Sequence, residues 1–466
     1  MSGHTPQDWP LQASDELPLL NRQLLNSPEP APVRMVHLGL GAFHRSHQAW
    51  YTHRASDAAQ WGIASFSGRR PDAADLLAAQ DGVYTLVERS EEHDSFEPIT
   101  SIVEAIDGAN LHRLKELIAS PMTALVTLTI TEAAYSLDEL DESRALESST
   151  PLGRLVLALS ARREAGGGPI AVVSCDNLAH NGQVTKEAVL ALAKWPSGQT
   201  GSFAGLAEWI TDNVSFVSTS VDRITPRTTA ADLEAAAAAT GYRDEAAVVT
   251  EPFHNWILSG SFPAGRPRWE DAGAIFVDDI EPYENRKLWL LNGAHSILAY
   301  TGLSRGHGTV AAALADHTCK LAVEQFWDEA ERHLPSSLCV PDYRAALLRR
   351  FSNNRIAHHL TQIAADGSTK LRMRALPVLR AERAAQRAGS GASLMIAAWI
   401  AYVSSTAELQ DPLATEIQEA TSLSSENQTA AMLSLLSSEL AQDDALASQI
   451  TQQLESINPT ATHAGR

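Results

Sequence analysis

HLGLGAFHRSH, residues 37–47, decides how the first half of the chain is expected to fold. It ends a short apolar run typical of a strand, and it places Gly39 and Gly41 as G-x-G before a helical pattern. Such a pair lets backbone N–H groups approach a pyrophosphate where a helix begins. His44 stands where a third glycine is usual, so an ordinary strand-to-helix turn would also explain these residues.

Strand-like runs alternate with helical patterns on both sides of this turn. The strand candidates are 34–39, 62–66, 99–104, 124–130, 169–175, 214–221 and 274–278. The helical candidates are 45–58, 111–119, 183–194, 203–212 and 231–240. This alternation predicts an α/β Rossmann-like domain with a mostly parallel sheet that binds a dinucleotide over residues 1–283.

The pattern changes in the second part of the chain, where strand signals fade. Long helical stretches follow at 285–301, 319–332, 343–350, 355–365 and 391–405. We therefore predict a mainly α-helical domain for substrate and catalysis over residues 284–466.

Composition excludes several classes of protein. The 466 residues have a net charge of −20, which argues against nonspecific nucleic-acid binding because that needs a basic surface. The most apolar run, 392–403, is too short to span a bilayer, which needs about 20 residues. The chain has three cysteines without paired metal-ligand spacing, and its first residues show no secretory signal. We expect a cytosolic protein without a metal.

Polar side chains follow several of the predicted strands. Glu132 comes after the fourth strand candidate, Asn177 after the fifth and Asp222 after the sixth. Ligands of open α/β sheets bind outside the carboxyl ends of the strands, so these ends are expected to line one crevice.

The end of the second strand bears on the choice of cofactor. An acidic residue there favours NAD, because it binds the ribose 2′-hydroxyl, whereas arginine accommodates the 2′-phosphate of NADP. The sequence SGRRPD (67–72) offers both Asp72 and the pair Arg69 and Arg70. We predict NAD, with Asp72 at the cofactor, and NADP is not excluded.

KLWLLNGAHS, residues 287–296, places Lys287, Asn292 and His295 beside an apolar stripe. Asn292 and His295 are three residues apart and share one face of an α-helix. Lys287 and His295 are eight apart, about 12 Å along a straight helix. We expect either that Lys287 lies in the first turn or in a loop before the helix, or that a linear six-carbon substrate bridges the gap.

Seven elements together resemble the polyol-specific long-chain dehydrogenases, a family that includes mannitol 2-dehydrogenase and fructuronate reductase (mannonate oxidoreductase). They are HLGLGAFHRSHQAWY (37–51), TLTITEAAY (127–135), SCDNLAHNG (174–182), VDRITP (221–226), EPFHNW (251–256), KLWLLNGAHS (287–296) and DGSTK (366–370). The resemblance implies zinc-independent hydride transfer between a nicotinamide cofactor and a secondary alcohol or ketone of a linear sugar derivative.

The resemblance also implies roles for individual residues. Lys287 is expected as the general base, Asn177 and Asn292 as the pair that stabilises the developing oxyanion, and His295 as a substrate-hydroxyl contact. Asp222 and Lys370 are expected to line the substrate site, and Gly39, Gly41 and Phe43 the cofactor site. A lysine serves as a base when burial lowers its pKa from about 10.4 toward neutrality.

The substrate stays open at this level. Lys370, Arg372 and Arg374 would clamp a hexonate carboxylate if they converge, and we therefore favour fructuronate/mannonate. If they form a solvated basic turn, mannitol and fructose or another polyol, including a phosphorylated one, become the better substrates. Less favoured are a Schiff-base lyase or isomerase that uses Lys287 as nucleophile, and a cofactor-binding sensor. We expect a monomer or weak oligomer.

Overall fold

The structure is a computed structural model that describes residues 17–26, 29–136, 150–194, 203–356 and 358–457. The chain forms two compact units, Met1–Ile280 and Glu281–Arg466. All strands of the described residues lie in the first unit, and the second is built from helices. The expectation of no secretory signal concerns residues 1–16 and lies outside the described residues.

The first unit contains an eight-stranded sheet and a three-stranded sheet. The strands are β1 (Val33–Leu38), β2 (Gly62–Phe66), β3 (Tyr84–Arg89), β4 (Asp94–Ile99), β5 (Ile102–Ile106), β6 (Leu125–Leu128), β7 (Ile170–Ser174), β8 (Val214–Asp222), β9 (Val248–Thr250), β10 (Asn255–Ser259) and β11 (Ile275–Phe276). The large sheet has the order β11-β10-β8-β7-β6-β1-β2-β5, and the small sheet the order β4-β3-β9.

Six neighbouring strands of the large sheet, β5-β2-β1-β6-β7-β8, are parallel. Numbered among themselves along the chain, they have the order 3-2-1-4-5-6 of the dinucleotide-binding Rossmann fold. Every residue of β2, β6 and β7 is buried, as expected for parallel strands covered on both faces. The predicted fold class is confirmed, and the switch in strand order lies between β1 and β6.

Several strands of the first unit were not predicted. The candidate at 99–104 was wrong, because it spans the connection between β4 and β5 at Thr100 and Ser101. The pairs β3–β4 and β8–β10 are antiparallel. β4 contains Asp94, Glu97 and Pro98, and it lies at an edge, where charged residues and proline are tolerated.

The first unit has eight α-helices among its described residues; the last of them packs on the small sheet, and the others lie against the large sheet. They are α1 (Ala42–Ser46), α2 (Gln48–Arg54), α3 (Asp72–Ala79), α4 (Leu111–Ala119), α5 (Pro151–Glu164), α6 (Asn181–Ala193), α7 (Leu206–Asn213) and α8 (Ala230–Thr240). The single helix predicted at 45–58 is two helices that break at His47, and the first begins at Ala42. α3 and α5 were not predicted; α5 begins at Pro151 behind a Thr150 cap, a sequence signal for a helix start.

The helices of the second unit are mostly short. They are α9 (Glu281–Arg286), a π-helix (Lys287–Gly293), α10 (Ala294–Ser304), α11 (Val310–Ala315), α12 (His317–Glu331), α13 (Val340–Ser352), α14 (Leu360–Ala364), α15 (Gly367–Arg374), α16 (Leu376–Ala384), α17 (Ser390–Ser405), α18 (Ala414–Thr421), α19 (Ser425–Leu436) and α20 (Asp444–Ile457). The helix predicted at 355–365 is confined to α14, and the one predicted at 285–301 is divided by the π-helix.

Candidate active site

The glycine turn after β1 has different requirements at its two glycines. Gly39 has φ +109°, and a Cβ there would collide with the main-chain carbonyl of Thr129 on the neighbouring strand. Gly41 has ordinary extended backbone, and a Cβ would meet only the Gly39 carbonyl oxygen, at 3.6 Å. Packing of β1 against β6 therefore requires glycine at Gly39, whereas Gly41 leaves open space beside the turn.

A cleft of about 670 Å³ lies in the first unit beside this turn. Its walls include Gly39 after β1, Gly68 after β2 and Thr131 after β6, together with residues at the start of α5. The cleft thus lies outside the carboxyl ends of the strands that flank the switch in strand order, where dinucleotides bind in this fold.

Three arginine side chains line the cleft, two of them after β2 and one on α5. Arg69, Arg70 and Arg154 line it, whereas Asp72 is not among its described lining residues. Asp72 begins α3 on the surface, where it pairs with Arg70 at 2.9 Å. Phe43 is half-buried and stacks on His47, with ring centroids 5.0 Å apart. The structure therefore brings Gly39 and the arginines together at the cleft and leaves Asp72 at its periphery.

Two buried histidines flank the glycine turn, His37 in β1 and His44 in α1. The rings of His37 and His44 stack with centroids 3.4 Å apart. His37 is hydrogen-bonded to the hydroxyls of Thr127 and Thr129, and His44 to the hydroxyl of Ser65. Burial lowers the pKa of His37 to about 3, and burial also takes the pKa of His44 well below its ordinary value. Both rings are thus neutral, and this pair was not singled out from the sequence.

Asp176 organises the loop after β6. Its carboxylate accepts hydrogen bonds from the backbone N–H groups of Ile130 and Thr131, at 3.0 and 2.8 Å, and from the hydroxyl of Tyr135 at 2.6 Å. Burial raises the pKa of Asp176, and these donors oppose that rise. Thr131 has φ +74°, an unusual conformation for a residue with a side chain. Asn177, the predicted oxyanion donor, follows Asp176 and is exposed in the first unit.

Asn181 connects the ends of β7 and β8, a role the sequence did not reveal. Its side-chain amide donates to the main-chain oxygens of Asp176 and Thr219, at 2.9 and 2.7 Å, and accepts from the Thr219 N–H at 2.8 Å. It is fully buried. The second asparagine of CDNLAHNG therefore holds the loop that presents Asn177.

Asp222 is the last residue of β8 and is buried. The following Arg223 is bound by Glu88 at 2.9 Å and by the main-chain oxygen of Ser46 at 2.7 Å, and it lies 4.5 Å from the ring centre of Trp50. Arg223 therefore belongs to the packing of the first unit, and Asp222 ends a strand of the parallel sheet, as expected.

The π-helix changes the expected spacing of the residues in the second unit. In an α-helix, five residues would separate Lys287 and Asn292 by about 140° around the axis. In a π turn, where bonds run from i to i+5, residues five apart lie nearly above one another. The π-helix spans Lys287–Gly293, so it brings Lys287 and Asn292 toward one face. The expectation that Lys287 lies in the first turn of its helix or in a loop before it was wrong, because α9 begins at Glu281 and continues directly into the π-helix. π turns are frequent at functional sites.

His295 follows the π-helix and is buried, 8% exposed. Its ring contacts Phe351 and His358, with centroids 4.9 and 4.7 Å away. Burial takes its pKa well below the ordinary value, and the charges of His358, Arg350 and Arg374 act in the same direction. Its Nε2 has no hydrogen-bond partner among the described residues. A neutral ring with an unsatisfied buried nitrogen is suited to a ligand hydrogen bond.

Of the three cations of the DGSTKLRMR stretch, Arg372 points away from Lys370 and Arg374, which lie four residues apart on one helix face. They lie on helix α15 and not on a turn, and Arg372 is exposed and donates to the Leu435 main-chain oxygen at 2.6 Å. Lys370 donates to the main-chain oxygens of Ile363 and Ala365, at 3.0 and 2.6 Å. The solvated turn is corrected, because the segment is helical, and Arg372 is removed from the predicted clamp, whereas Lys370 and Arg374 share one face.

Arg374 occupies a different environment from Arg372. Its Nη1 donates to the main-chain oxygen of Asn292 at 3.1 Å and to the hydroxyl of Ser296 at 2.9 Å. Burial lowers the pKa of Arg374 to about 10. The guanidinium therefore binds the helix that contains Asn292.

One group in the second unit has ligand types that suit a metal. One atom each of His307, Asp316 and Cys319 lie within 4.8 Å of one another. Asp316 already accepts from Arg305 at 2.8 Å and from the Thr318 N–H at 2.8 Å, as the N-cap of α12. These contacts describe a helix cap.

Of the helices in the described residues, none is long and apolar enough to cross a membrane.

Comparison with known proteins agrees with this geometry. A Rossmann strand order with a cleft at its switch point, together with a separate helical unit, is typical of dinucleotide-binding proteins. The model of the mannitol dehydrogenase Rossmann domain matches residues 33–271, and that of the mannitol dehydrogenase C-terminal domain matches residues 279–458. The chain belongs to the mannitol dehydrogenase family, as its motifs predicted, and is an oxidoreductase.

The similarity to proteins of known activity extends over most of the chain. D-mannonate oxidoreductase of Escherichia coli (strain K12) is 36% identical over 83% of this chain and 84% of its own. Mannitol 2-dehydrogenase of Cereibacter sphaeroides is 32% identical over 91% of this chain and 93% of its own. The structure of Pseudomonas fluorescens mannitol 2-dehydrogenase in ternary complex with NAD and D-mannitol is similar with a TM-score of 0.76, at 31% identity, over 95% of this chain and 99% of that one.

Proposed function

We propose that this chain transfers hydride between NAD(H) and a secondary alcohol or ketone of a linear sugar derivative, with fructuronate/mannonate as the first candidate pair. The π-helix is the observation that carries the proposal, since it brings Lys287 and Asn292 toward one face. The related D-mannonate oxidoreductase and the NAD-bound mannitol 2-dehydrogenase support the reaction class.

The first unit is proposed to bind the cofactor. Its cleft fits a dinucleotide because it lies at the switch in strand order and is lined by Gly39 of the turn. Gly39, Gly41 and Phe43 would hold the cofactor at the turn, and Arg69 and Arg70 would face its adenosine end. When bound, the nicotinamide supplies or accepts the hydride. Asp72 is a weaker candidate for cofactor binding than the sequence suggested, since it lies outside the cleft lining. The two arginines would also suit the 2′-phosphate of NADP.

The second unit is proposed to bind the substrate and handle its proton. Lys287 would accept the hydroxyl proton during oxidation and return it during reduction, as a general base and acid. The side-chain amide of Asn292 would donate a hydrogen bond to the oxygen on which negative charge develops. His295, neutral and with an unsatisfied nitrogen, would bind a substrate hydroxyl.

Roles proposed for Asn177, Asp222 and Lys370 rest on the family resemblance. Asn177 would be the second oxyanion donor, and Asp222 and Lys370 would line the substrate site. The Lys370 amine is held by two main-chain oxygens, so its substrate contact would use its remaining donor.

The test is oxidation of NADH, with NADPH in parallel, by purified protein supplied with fructuronate, tagaturonate or fructose. We expect a preference for a keto-uronate, and loss of turnover in Lys287→Ala and Asn292→Ala. Lys320→Ala is the matched control, because Lys320 is an exposed lysine of the same unit. Preference for fructose would support mannitol 2-dehydrogenase activity instead. Borohydride trapping of a substrate adduct on Lys287 would support a Schiff-base enzyme and overturn the proposal.

A further inference from the structure

The cleft of the first unit contains a buried arginine that the proposed chemistry leaves without a role. Arg154 lies in the first turn of α5 and is 5% exposed. It lines the cleft together with Arg69 and Arg70, which follow β2. We call these three residues the arginine subsite.

We propose that the arginine subsite binds the 2′-phosphate of NADP(H), so that this chain binds NADP(H) as well as NAD(H), with Arg154 as a specificity-determining residue. This assignment rests on the proposed function, because it concerns the cofactor of the same reaction. It deepens that function by naming the group that the adenosine end of the cleft recognises.

The position of Arg154 is the first reason. Its Nη1 donates a hydrogen bond to the main-chain oxygen of Gly108, in the turn after β5. A Cβ at Gly108 would collide with this Nη1 and with the main-chain oxygen of Ser67, the residue that follows β2. The guanidinium therefore lies at the ends of β2 and β5. In this fold the ribose of the adenosine is bound at the end of the second parallel strand, which here is β2.

The unused donors of Arg154 are the second reason. Its Nε is buried and has no hydrogen-bond partner among the described residues. A guanidinium has five N–H donors, and the Gly108 oxygen is the one acceptor that Arg154 has in the described part of the chain. A buried cation without a bound anion is unfavourable, and arginine matches the oxygens of a phosphate with paired donors. A 2′-phosphate would therefore supply both the missing acceptors and the missing charge.

The composition of the cleft is the third reason. An acidic residue that binds the ribose 2′-hydroxyl favours NAD and repels a phosphate there. Neither aspartate nor glutamate is among the described residues that line the cleft. Asp72, whose side chain is 63% exposed, pairs with Arg70 at 2.9 Å outside that lining. The adenosine end of the cleft thus attracts a 2′-phosphate, while NAD(H) still fits at the glycine turn.

The pyrophosphate is the other anionic part of the cofactor. It is bound at the glycine turn after the first strand of this fold, whereas the arginine subsite lies at the ends of β2 and β5. We therefore assign the three arginines to the 2′-phosphate. Loss of a contact to the pyrophosphate would weaken both cofactors equally, so the two assignments predict different results.

The experiment uses two nucleotides that differ only in the 2′-phosphate, 5′-AMP and 2′,5′-ADP. Their binding is measured by calorimetry, and that of NADH and NADPH by fluorescence titration. Wild type is expected to bind 2′,5′-ADP about ten-fold or more tightly than 5′-AMP, and NADPH at least as tightly as NADH, because charge-assisted hydrogen bonds are added.

Arg154→Gln should weaken binding of 2′,5′-ADP and NADPH by about ten-fold or more, and change that of 5′-AMP and NADH by less than about two-fold. Arg69→Gln should act in the same direction by a smaller factor, since Arg69 is exposed and its charge is screened by solvent. Arg268→Gln is the matched control, because Arg268 is an exposed arginine of the first unit outside the described cleft lining. It should leave all four affinities unchanged.

Equal weakening of all four ligands in Arg154→Gln would place this arginine at the adenine or the pyrophosphate and overturn the subsite. Binding of 5′-AMP by wild type as tightly as 2′,5′-ADP would overturn it as well. Thermal unfolding reports the fold of each variant, and the exposed Arg69 keeps the test decisive if Arg154→Gln fails to fold. If wild type reduces no sugar, the proposed function fails, whereas the nucleotide affinities still decide the subsite because they require no sugar.

Discussion

The Nη1 of Arg374 donates a hydrogen bond of 3.1 Å to the main-chain oxygen of Asn292. The same nitrogen donates to the hydroxyl of Ser296, four residues further along, at 2.9 Å. One guanidinium thus connects the end of the π-helix to the first turn of α10. Arg374 is therefore a positioning residue for Asn292, in addition to its positive charge.

Arg374→Lys is expected to lower kcat by about ten- to a hundred-fold with a smaller change in KM, because a small displacement of a catalytic group has that cost. A lysine keeps the charge but presents a single ammonium in place of the planar group. Steady-state kinetics at saturating cofactor measures the effect. Arg372→Lys is the control, as Arg372 is exposed on the same helix. An unchanged kcat in Arg374→Lys would show that the contact to Asn292 does not matter for turnover.

The two glycines of the turn should respond differently to alanine. Gly39→Ala forces a positive φ and a collision with the Thr129 carbonyl, so we expect a loss of about 3 kcal/mol or more in the free energy of unfolding. Gly41→Ala should cost about 1 kcal/mol, since alanine is a poorer helix N-cap than glycine. It should nevertheless weaken NADH binding, because its methyl group enters the space beside the turn.

Denaturant unfolding and titration of NADH fluorescence measure these two quantities. Unchanged NADH affinity in a folded Gly41→Ala variant would contradict the assignment of the cofactor to this turn.

Asp176→Asn is expected to destabilise the first unit by about 1–3 kcal/mol. In wild type each carboxylate oxygen accepts from a backbone N–H group, whereas in the variant the asparagine NH2 would point at one of these N–H groups. Dinucleotide affinity should fall in parallel, since Ile130 and Thr131 line the cleft. Tyr135→Phe removes one of the three hydrogen bonds and provides the comparison. If it weakens NADH binding as much as Asp176→Asn does, the backbone contacts of Asp176 are not what shapes the loop.

The stacked histidines should make the protein sensitive to acid. The folded-state pKa of His37 is about 3 and that of His44 is also lowered, while an unfolded histidine has a pKa near 6.5. The unfolded state therefore binds protons first as pH falls. The stability from the neutral rings is complete above about pH 6.5 and declines toward pH 3, by up to about 1.4 kcal/mol per pH unit for each ring.

His44→Gln should remove one ring's share of this slope below pH 6, whatever its effect on stability at pH 8. Chemical denaturation at a series of pH values measures the slope. His112→Gln, at an exposed histidine of α4, should keep the slope of wild type. Parallel curves for wild type and His44→Gln would refute the prediction.

The parallel core of the first unit was predictable because its strands are continuous apolar runs between polar turns. α4 matched its predicted range, 111–119, where an Asn110 cap and regularly spaced leucines agree. β9 escaped prediction because three residues are too few to show a period, and β10 was missed although β2 and β7, of the same length, were predicted. The break at His47 left no signal either, since its neighbours favour a continuous helix.

The candidate site was predictable in its residue types and less so in its geometry. Lys287, Asn292 and His295 were found from a motif, but KLWLLNG contains nothing that distinguishes a π turn from an α turn. The basic residues after Gly367 were correctly noticed, but Arg372 was wrongly joined to the other two, because residues 370 and 374 share one helix face and residue 372 points away from it.

The two edge strands of the large sheet affect whether copies of this protein associate edge to edge. One edge ends in β11, a strand of two residues, and the other in β5, where Glu104 pairs with Arg113 at 2.7 Å. Long unpaired strands recruit further strands and promote aggregation, and short or charged edges oppose that growth. Both edges of the large sheet therefore oppose edge-to-edge polymerisation of this chain, and loss of Glu104 would weaken that protection at the β5 edge.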